Sequence, residues 1–193
     1  MAGMRTRMFV EAALTLALAA VLNRLPVFQM PFGGSASLDM LPLVVFAVRN
    51  GLLPGLTAGA AFGFIDYMME PYFVHWIQVG LDYPVAFGLV GLAGFGAWAW
   101  REGRGARRPA TTLAWVLAAA LLGILGRFGA HFVSGVVFFA EYAPEGQPVW
   151  LYSLLYNASY IVPSAVAVLA AAALILPAVE RVVPTSPGGP GAR

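Results

Sequence analysis

The stretch Thr111–Ala140 constrains the fold of this chain more than any other. It is about thirty residues long and almost entirely apolar, so one α-helix of this length crosses a bilayer with turns to spare. Arg127 lies in its middle and His131 follows four residues later, on the same face of a helix. A cation at that depth needs a partner or a water-filled cavity. Arg127 and His131 are therefore a candidate functional site.

The composition is that of a membrane protein. Hydrophobic residues make up 60% of the 193 residues and charged residues only 10%, which excludes a soluble fold. The apolar runs are continuous rather than alternating, which is typical of helices and not of a closed β-barrel. There is no cysteine, so disulfides and thiolate metal sites are excluded. We expect one membrane domain over residues 1–183 and a disordered, Pro/Gly-rich tail over residues 184–193.

The apolar runs and the residues that break them predict an all-α integral membrane protein, a bundle of six transmembrane helices. The predicted helices are Arg7–Leu25, Leu38–Val48, Leu52–Met69, Tyr72–Trp100, Thr111–Ala140 and Val149–Val182. The second is too short to span a bilayer alone, so it is tilted, extended by loop residues or packed inside the protein. The loop before it, Val27–Ser37, is then either a mobile lid or an ordinary interfacial loop.

The arginines predict the orientation. If six helices alternate in direction, one side of the membrane receives Arg5, Arg7, Arg49, Arg101, Arg104, Arg107, Arg108, Arg181 and Arg193. The opposite loops contain Arg24 together with the acidic residues Asp66, Glu70, Glu141 and Glu145. The positive-inside rule therefore predicts that the N- and C-termini are both cytoplasmic.

Asp82, Arg127 and His131 are ionisable residues that lie well inside predicted spans, at similar depths in the outer half of the membrane. One interpretation is an Asp82–Arg127 ion pair that only joins two helices, with His131 bonded to a backbone carbonyl. The other is a ligand site, because aromatic and amide side chains accompany these groups: Tyr83, Phe128, Phe132, Phe139, Tyr152, Tyr156, Asn157 and Tyr160. Such a set suits a small, flat, polar and cationic ligand. We expect His131 to contact it and Arg127 to hold Asp82 in place.

Other function classes have weaker support. An intramembrane enzyme could use His131 and Asp82 as acid–base partners, but no oxyanion-hole motif accompanies them. A stand-alone secondary transporter is a third hypothesis. The sequence shows no inverted repeat, which counts against it. The two histidines, His75 and His131, do not indicate a metal site. A Walker motif is absent, so any ATP-driven activity requires a partner.

Five segments carry a family resemblance: EAALTLALA, LPLVVFAVRNGLLPGLTAGAAFGF, LDYPVAFGLVGLAG, GRFGAHFVSGVVFFAEYA and YSLLYNASYI. Together they resemble the thiamine-specific substrate-binding (S) components of energy-coupling factor (ECF) vitamin transporters. The resemblance extends from about Arg7 to Val182. It implies a subunit of the bacterial plasma membrane that captures thiamine from outside. Delivery would require the coupling protein EcfT and the ATPases EcfA and EcfA'; no cofactor, metal or nucleic acid is implied.

The resemblance also implies functional positions. The acidic ligand residue of the family falls on Asp82, and its lysine and histidine fall on Arg127 and His131. The remaining ligand-binding positions fall on Tyr83, Gly135, Phe139, Tyr152, Asn157 and Phe62. The small-residue face of helix one that docks the coupling protein falls on Ala13 and Ala17.

Three of these positions depart from the family: Asp82 replaces glutamate, Arg127 replaces lysine and Phe139 replaces tryptophan. Each substitution keeps the chemical type but changes reach, donor geometry or stacking area. Thiamine is therefore the favoured ligand, with a thiamine phosphate, a pyrimidine precursor or a related vitamin as alternatives.

Overall fold

The computed structural model describes residues 2–102 and 109–182. Within them the chain forms six apolar helices: α1 (Ala2–Asn23), α2 (Met40–Asn50), α3 (Leu52–Met69), α4 (Trp76–Glu102), α5 (Pro109–Phe138) and α6 (Val149–Val182). All but α2 are long and apolar enough to cross a membrane. The prediction of a helical membrane protein is confirmed. The predicted disordered tail and most of the basic loop after α4 lie outside the described residues.

Large apolar side chains cover the outside of the bundle. Leu14 on α1, Trp115 on α5 and Leu174 on α6 are 66%, 65% and 77% exposed. A soluble protein does not expose so many large apolar side chains on neighbouring helices, whereas a bilayer solvates them. These outward faces are the lipid-facing surface.

The short helix α2 is packed inside the protein, which decides among the three possibilities that its length left open. It contacts α1, α3, α4 and α6, and nearly all of its side chains are buried. Asp39 caps its first turn, where the carboxylate accepts a hydrogen bond from Met40 N at 2.8 Å. The helix ends at Gly51, whose φ of 103° favours glycine. Its two ends therefore place Asp39 and Arg49 inside the bundle.

Helices α3 and α4 approach closely because glycines face the α4 backbone. A Cβ atom at Gly59 or Gly63 would overlap the carbonyl oxygen of Phe87 or Tyr83. Such small-residue faces are a common way for membrane helices to pack. Phe62 lies on the same helix, fully buried, with its ring 4.7 Å from that of Phe87 in an edge-to-face contact.

Helix α4 is not a regular helix, and its irregularity falls at a predicted site residue. It begins at Trp76 rather than Tyr72, because the chain from Glu70 to His75 is extended or bent. A π-helical turn covers Leu81–Val85 and contains Pro84, which cannot donate a helical hydrogen bond. This turn changes the helical register around Asp82.

The loop between α1 and α2 forms a small hairpin. Strands β1 (Phe28–Gln29) and β2 (Ser35–Ala36) pair antiparallel, with Phe28 opposite Ala36. The turn between them passes through Gly34 with a φ of 89°, and a Cβ atom there would lie 2.6 Å from the Tyr160 ring. The hairpin is packed against α6: Phe32 N donates to the Tyr156 hydroxyl at 2.9 Å.

Candidate functional site

A cavity of about 540 Å³ opens at one end of the bundle, between the hairpin and helices α3 to α6. Its lining includes eight of the nine residues predicted to bind a ligand: Asp82, Tyr83, Arg127, His131, Gly135, Phe139, Tyr152 and Asn157. The ninth, Phe62, is not part of this lining. It is buried behind Phe87, and the Phe87 ring faces the cavity in its place.

Asp82 is held by three polar side chains. Gln78 Nε2 and Ser134 Oγ donate to its Oδ2 at 2.8 and 2.9 Å. His131 Nδ1 lies 3.1 Å from Oδ1. The Asp82 side chain is 14% exposed, so it reaches the cavity. The three polar contacts fix its position. A carboxylate with fixed geometry at a cavity wall can accept hydrogen bonds from a ligand or balance a cation.

The expected Asp82–Arg127 pair is wrong. Arg127 Nη1 lies 3.1 Å from Oδ2 and 3.4 Å from Oδ1 of Asp39 instead. The side chains of Asp39 and Arg127 are 2% and 8% exposed, so each requires the opposite charge of the other. The guanidinium also lies 4.0 Å from the centre of the Phe87 ring, a cation–π contact. Arg127 is therefore neutralised within the protein.

His131, rather than Arg127, holds Asp82. Arg127 Nε donates to His131 Nε2 at 3.4 Å, and arginine is a donor only. The imidazole therefore accepts through Nε2 and donates from Nδ1 to Asp82. The predicted bond from His131 to a backbone carbonyl is absent among the described residues; Asn157 Nδ2 donates to the carbonyl oxygen of His131 itself, at 3.3 Å.

The α6 wall of the cavity is fixed by hydrogen bonds around Asn157. Its amide donates to Ser153 O at 2.8 Å, and its carbonyl accepts from the Tyr160 hydroxyl at 2.7 Å. Gly135 allows this approach of α5 and α6, because a Cβ atom there would overlap Ser153 Oγ. Asn157 thus combines a structural role with one carbonyl lone pair that remains for a ligand.

Aromatic rings surround the cavity mouth. Phe139 stacks on Tyr72 with ring centres 5.9 Å apart, and Phe32 of the hairpin lies 4.5 Å from Tyr142. The interaction with the Tyr142 side chain, together with burial, raises the pKa of Tyr72 to about 12, so this phenol is neutral at physiological pH. Tyr152 adds a further ring from α6. Such a rim can stack on a flat heterocycle and attract a cation.

Tyr83 has a mainly structural part in this site. Its hydroxyl donates to Glu70 O and accepts from Tyr72 N, both at 3.0 Å. Its ring contacts Tyr67 edge to face at 5.1 Å. Tyr83 therefore stabilises the segment that connects α3 and α4, and only part of its surface faces the cavity.

Sequence reasoning missed several residues that the structure brings to the site. Asp39 and Gln78 were not singled out, although Gln78 stands four residues before Asp82 on one helix, a spacing that predicts contact. Ser134 was likewise not predicted to belong to a ligand site. Asp66 was counted with the external loops, whereas the structure places it in the last turn of α3 and in the cavity lining.

The predicted docking residues lie away from the cavity lining. Ala13 and Ala17 are exposed along α1, on a face that also exposes Leu14. At the end of the bundle opposite the cavity, Arg49 pairs with Glu11 of α1 and Glu180 of α6, at 3.3 and 3.1 Å.

Three comparisons with known proteins bear on the family to which the chain belongs. The family model described as "Thiamine transporter protein (Thia_YuaJ)" matches residues 9–183. A protein of Bacillus subtilis (strain 168) named thiamine transporter ThiT is 39% identical over 158 residues, which cover 80% of this chain and 82% of that protein. A protein of the same name from Lacticaseibacillus paracasei is 30% identical over 151 residues, covering 76% and 75%.

A solved structure of ThiT from Listeria monocytogenes matches with a TM-score of 0.83 over 92% of this chain and 97% of that chain. At 24% identity this likeness shows a shared fold. The relatives are named transporters, so the acid–base enzyme considered above is set aside. With its membrane-spanning helices, the chain is a multi-pass protein of the bacterial plasma membrane. The resemblance noted in the sequence is confirmed: the chain belongs to the Thia_YuaJ family of thiamine transporter proteins.

Proposed function

We propose that this chain is the thiamine-binding S component of an ECF importer and that its cavity holds the vitamin. One observation carries the proposal. Asp82, fixed by His131, Ser134 and Gln78, faces a cavity of about 540 Å³ with an aromatic mouth, in a chain of the thiamine transporter family.

The chemistry of the cavity matches the chemistry of thiamine. Thiamine joins an aminopyrimidine ring, which carries hydrogen-bond donors, to a positively charged thiazolium ring. The Asp82 carboxylate can accept from the amino group or balance the cation. Phe139, Tyr72 and Tyr152 present ring faces on which a flat cation can stack.

The ion pair beneath the cavity supports a cationic ligand over an anionic one. Arg127 lines the cavity, but Asp39 already neutralises its charge at 3.1 Å. The cavity therefore offers no unpaired arginine, among the described residues, to a ligand phosphate. This supports thiamine over its phosphate esters.

The proposed direction of uptake rests on the distribution of charge. Arg49 and Arg101 meet at the end of the bundle opposite the cavity, where Arg101 Nη2 donates to Arg49 O at 3.3 Å. If the positive-inside rule holds, this end is cytoplasmic and the cavity opens to the outside. We further propose that the hairpin of β1 and β2 closes over the bound vitamin and brings Phe32 against it.

ATP-driven transport requires partners, because the sequence contains no nucleotide-binding motif. The coupling protein EcfT and the ATPases EcfA and EcfA' are the proposed partners. The exposed face of α1 around Ala13 and Ala17 supports docking, since small residues let another membrane helix approach closely.

Calorimetry of the purified chain in detergent tests the proposal. We expect saturable binding of thiamine and no binding of riboflavin or biotin. No measurable binding of thiamine, together with binding of another vitamin, would contradict it. Equal affinity for thiamine and its isolated pyrimidine precursor would instead assign the cavity to the precursor.

A further inference from the structure

A second carboxylate lies in the cavity and is not used by the site built around Asp82. Asp66, in the last turn of α3, lines the same cavity. Its Oδ1 accepts a hydrogen bond from Asn23 Nδ2 at 2.5 Å, which links the end of α1 to α3. Within the described part of the chain, no group donates a hydrogen bond to its other oxygen, Oδ2.

Two carboxylates near the cavity pair with arginines, whereas Asp82 and Asp66 have no arginine partner among the described residues. Arg127 pairs with Asp39, and Arg24 pairs with Glu70 at 2.5 Å. Asp82 receives bonds from three side chains. Asp66, by contrast, has only the neutral amide of Asn23 as its hydrogen-bond partner among the described residues.

We propose that Asp66 determines which charge the cavity accepts: it favours a ligand with one permanent positive charge and disfavours the phosphate ester of that ligand. This inference rests on the proposed function, since it concerns the specificity of the same cavity. It assigns to Asp66 a part in charge selectivity that adds to the ligand contact proposed for Asp82.

Coulomb's law gives the direction in which the Asp66 charge changes ligand affinity. A carboxylate attracts a monocation in the same low-dielectric cavity and repels a phosphate, which carries about −1.5 to −2 charges at neutral pH. Both effects raise the ratio of the affinity for the monocation to the affinity for its phosphate ester. Because that ratio compares two ligands on one protein, it is insensitive to a general loss of folded protein.

A purely structural role for Asp66 is separable from this one. In Asp66→Asn the side-chain carbonyl still accepts the bond from Asn23, so the link between α1 and α3 is kept while the charge is lost. In Asn23→Ala the link is lost while the charge is kept. Glu145→Gln is the matched control, because Glu145 is exposed and does not belong to the cavity lining.

The experiment is calorimetric titration of the full chain with thiamine and with thiamine monophosphate. We expect Asp66→Asn to weaken thiamine binding about tenfold and to lower the thiamine-to-monophosphate affinity ratio at least as much. Asn23→Ala and Glu145→Gln should keep the wild-type ratio. If Asp66→Asn is not recovered folded, Asp66→Ser removes the same charge and is interpreted in the same way.

An unchanged ratio in the charge-removing variant would overturn the inference. So would an equal fall of the ratio in Asn23→Ala, because the link rather than the charge would then be responsible. Failure of the wild-type chain to bind thiamine would contradict the proposed function itself. Thiamine binding with a ratio that does not depend on Asp66 would contradict this inference alone.

Discussion

Arg127 and Asp39 form a buried ion pair that joins α5 to the first turn of α2, with Nη1 and Oδ2 3.1 Å apart. The pair lies directly beneath the cavity, and Phe87 covers the guanidinium at 4.0 Å. This relationship explains how a membrane helix contains an arginine near its middle. It also releases Asp82 from a structural ion pair and leaves it available to a ligand.

Breaking this pair should destabilise the fold more than removing it. Arg127→Met leaves the Asp39 carboxylate buried without a counter-charge, so we expect a loss of about 3–5 kcal/mol of folding free energy. The double variant Arg127→Met with Asp39→Leu should recover much of it, because no charge stays buried. Thermal unfolding in detergent measures both. If Arg127→Met and Asp39→Leu alone were each as stable as the wild type, a structural ion pair would be excluded.

A side chain at Gly135 should disturb Ser153. In Gly135→Ala the new Cβ atom overlaps Ser153 Oγ, so either the hydroxyl leaves Phe132 O or α5 moves away from α6, which we expect to cost about 1–3 kcal/mol. Because Asn157 is fixed by the same helix pair, thiamine affinity should fall as well. Adding Ser153→Ala relieves the overlap, and unfolding of the double variant should show partial rescue. If the double variant were no more stable than Gly135→Ala, the overlap with Ser153 Oγ would not be the cause of the destabilisation.

Phe139 should stack on the ligand at the cavity mouth. Its ring already stacks on Tyr72, and Phe139→Ala removes that surface. We expect thiamine affinity to fall about five- to thirtyfold, which corresponds to about 1–2 kcal/mol of stacking and cation–π energy. Phe139→Trp offers a larger face and should bind at least as tightly as the wild type. Equal affinities in all three proteins would remove Phe139 from the site.

The exposed face of α1 should be needed for uptake and not for binding. Ala17→Trp places a large side chain where we propose that the coupling protein approaches, so uptake by cells that express the whole transporter should fall at least about tenfold. Thiamine binding by the purified variant should not change. Leu174→Trp is the control, because Leu174 is 77% exposed on α6. Normal uptake in Ala17→Trp would move the docking surface elsewhere.

The sequence predicted the helices well because bilayer thickness and chain breakers set their lengths. The predicted bounds of α3 and α6 coincide with those of the structure, and α1 and α4 differ only at their ends. The depth of Asp82, Arg127 and His131 followed from counting along helices, and the cavity brings all three together.

The partners of these groups could not be predicted in the same way. A π-helical turn at Leu81–Val85 shifts the register of Asp82, and residue spacing alone does not reveal such a turn. Asp39 stands at the start of a helix too short to span, so its burial depends on α2 being enclosed by the other helices. The sequence therefore indicated which residues form the site, whereas the pairing of charges required the fold.

Whether Asp82 binds the vitamin is tested by comparing thiamine binding by the wild-type chain and by Asp82→Asn, with Glu145→Gln as the control for charge at the same end of the bundle. Asp82→Asn keeps the size of the side chain and removes the charge that His131 and Ser134 hold at the cavity wall. We predict tight binding by the wild type and by Glu145→Gln, and a loss of at least about tenfold in Asp82→Asn. Wild-type affinity in a folded Asp82→Asn protein would show that the Asp82 carboxylate does not bind thiamine.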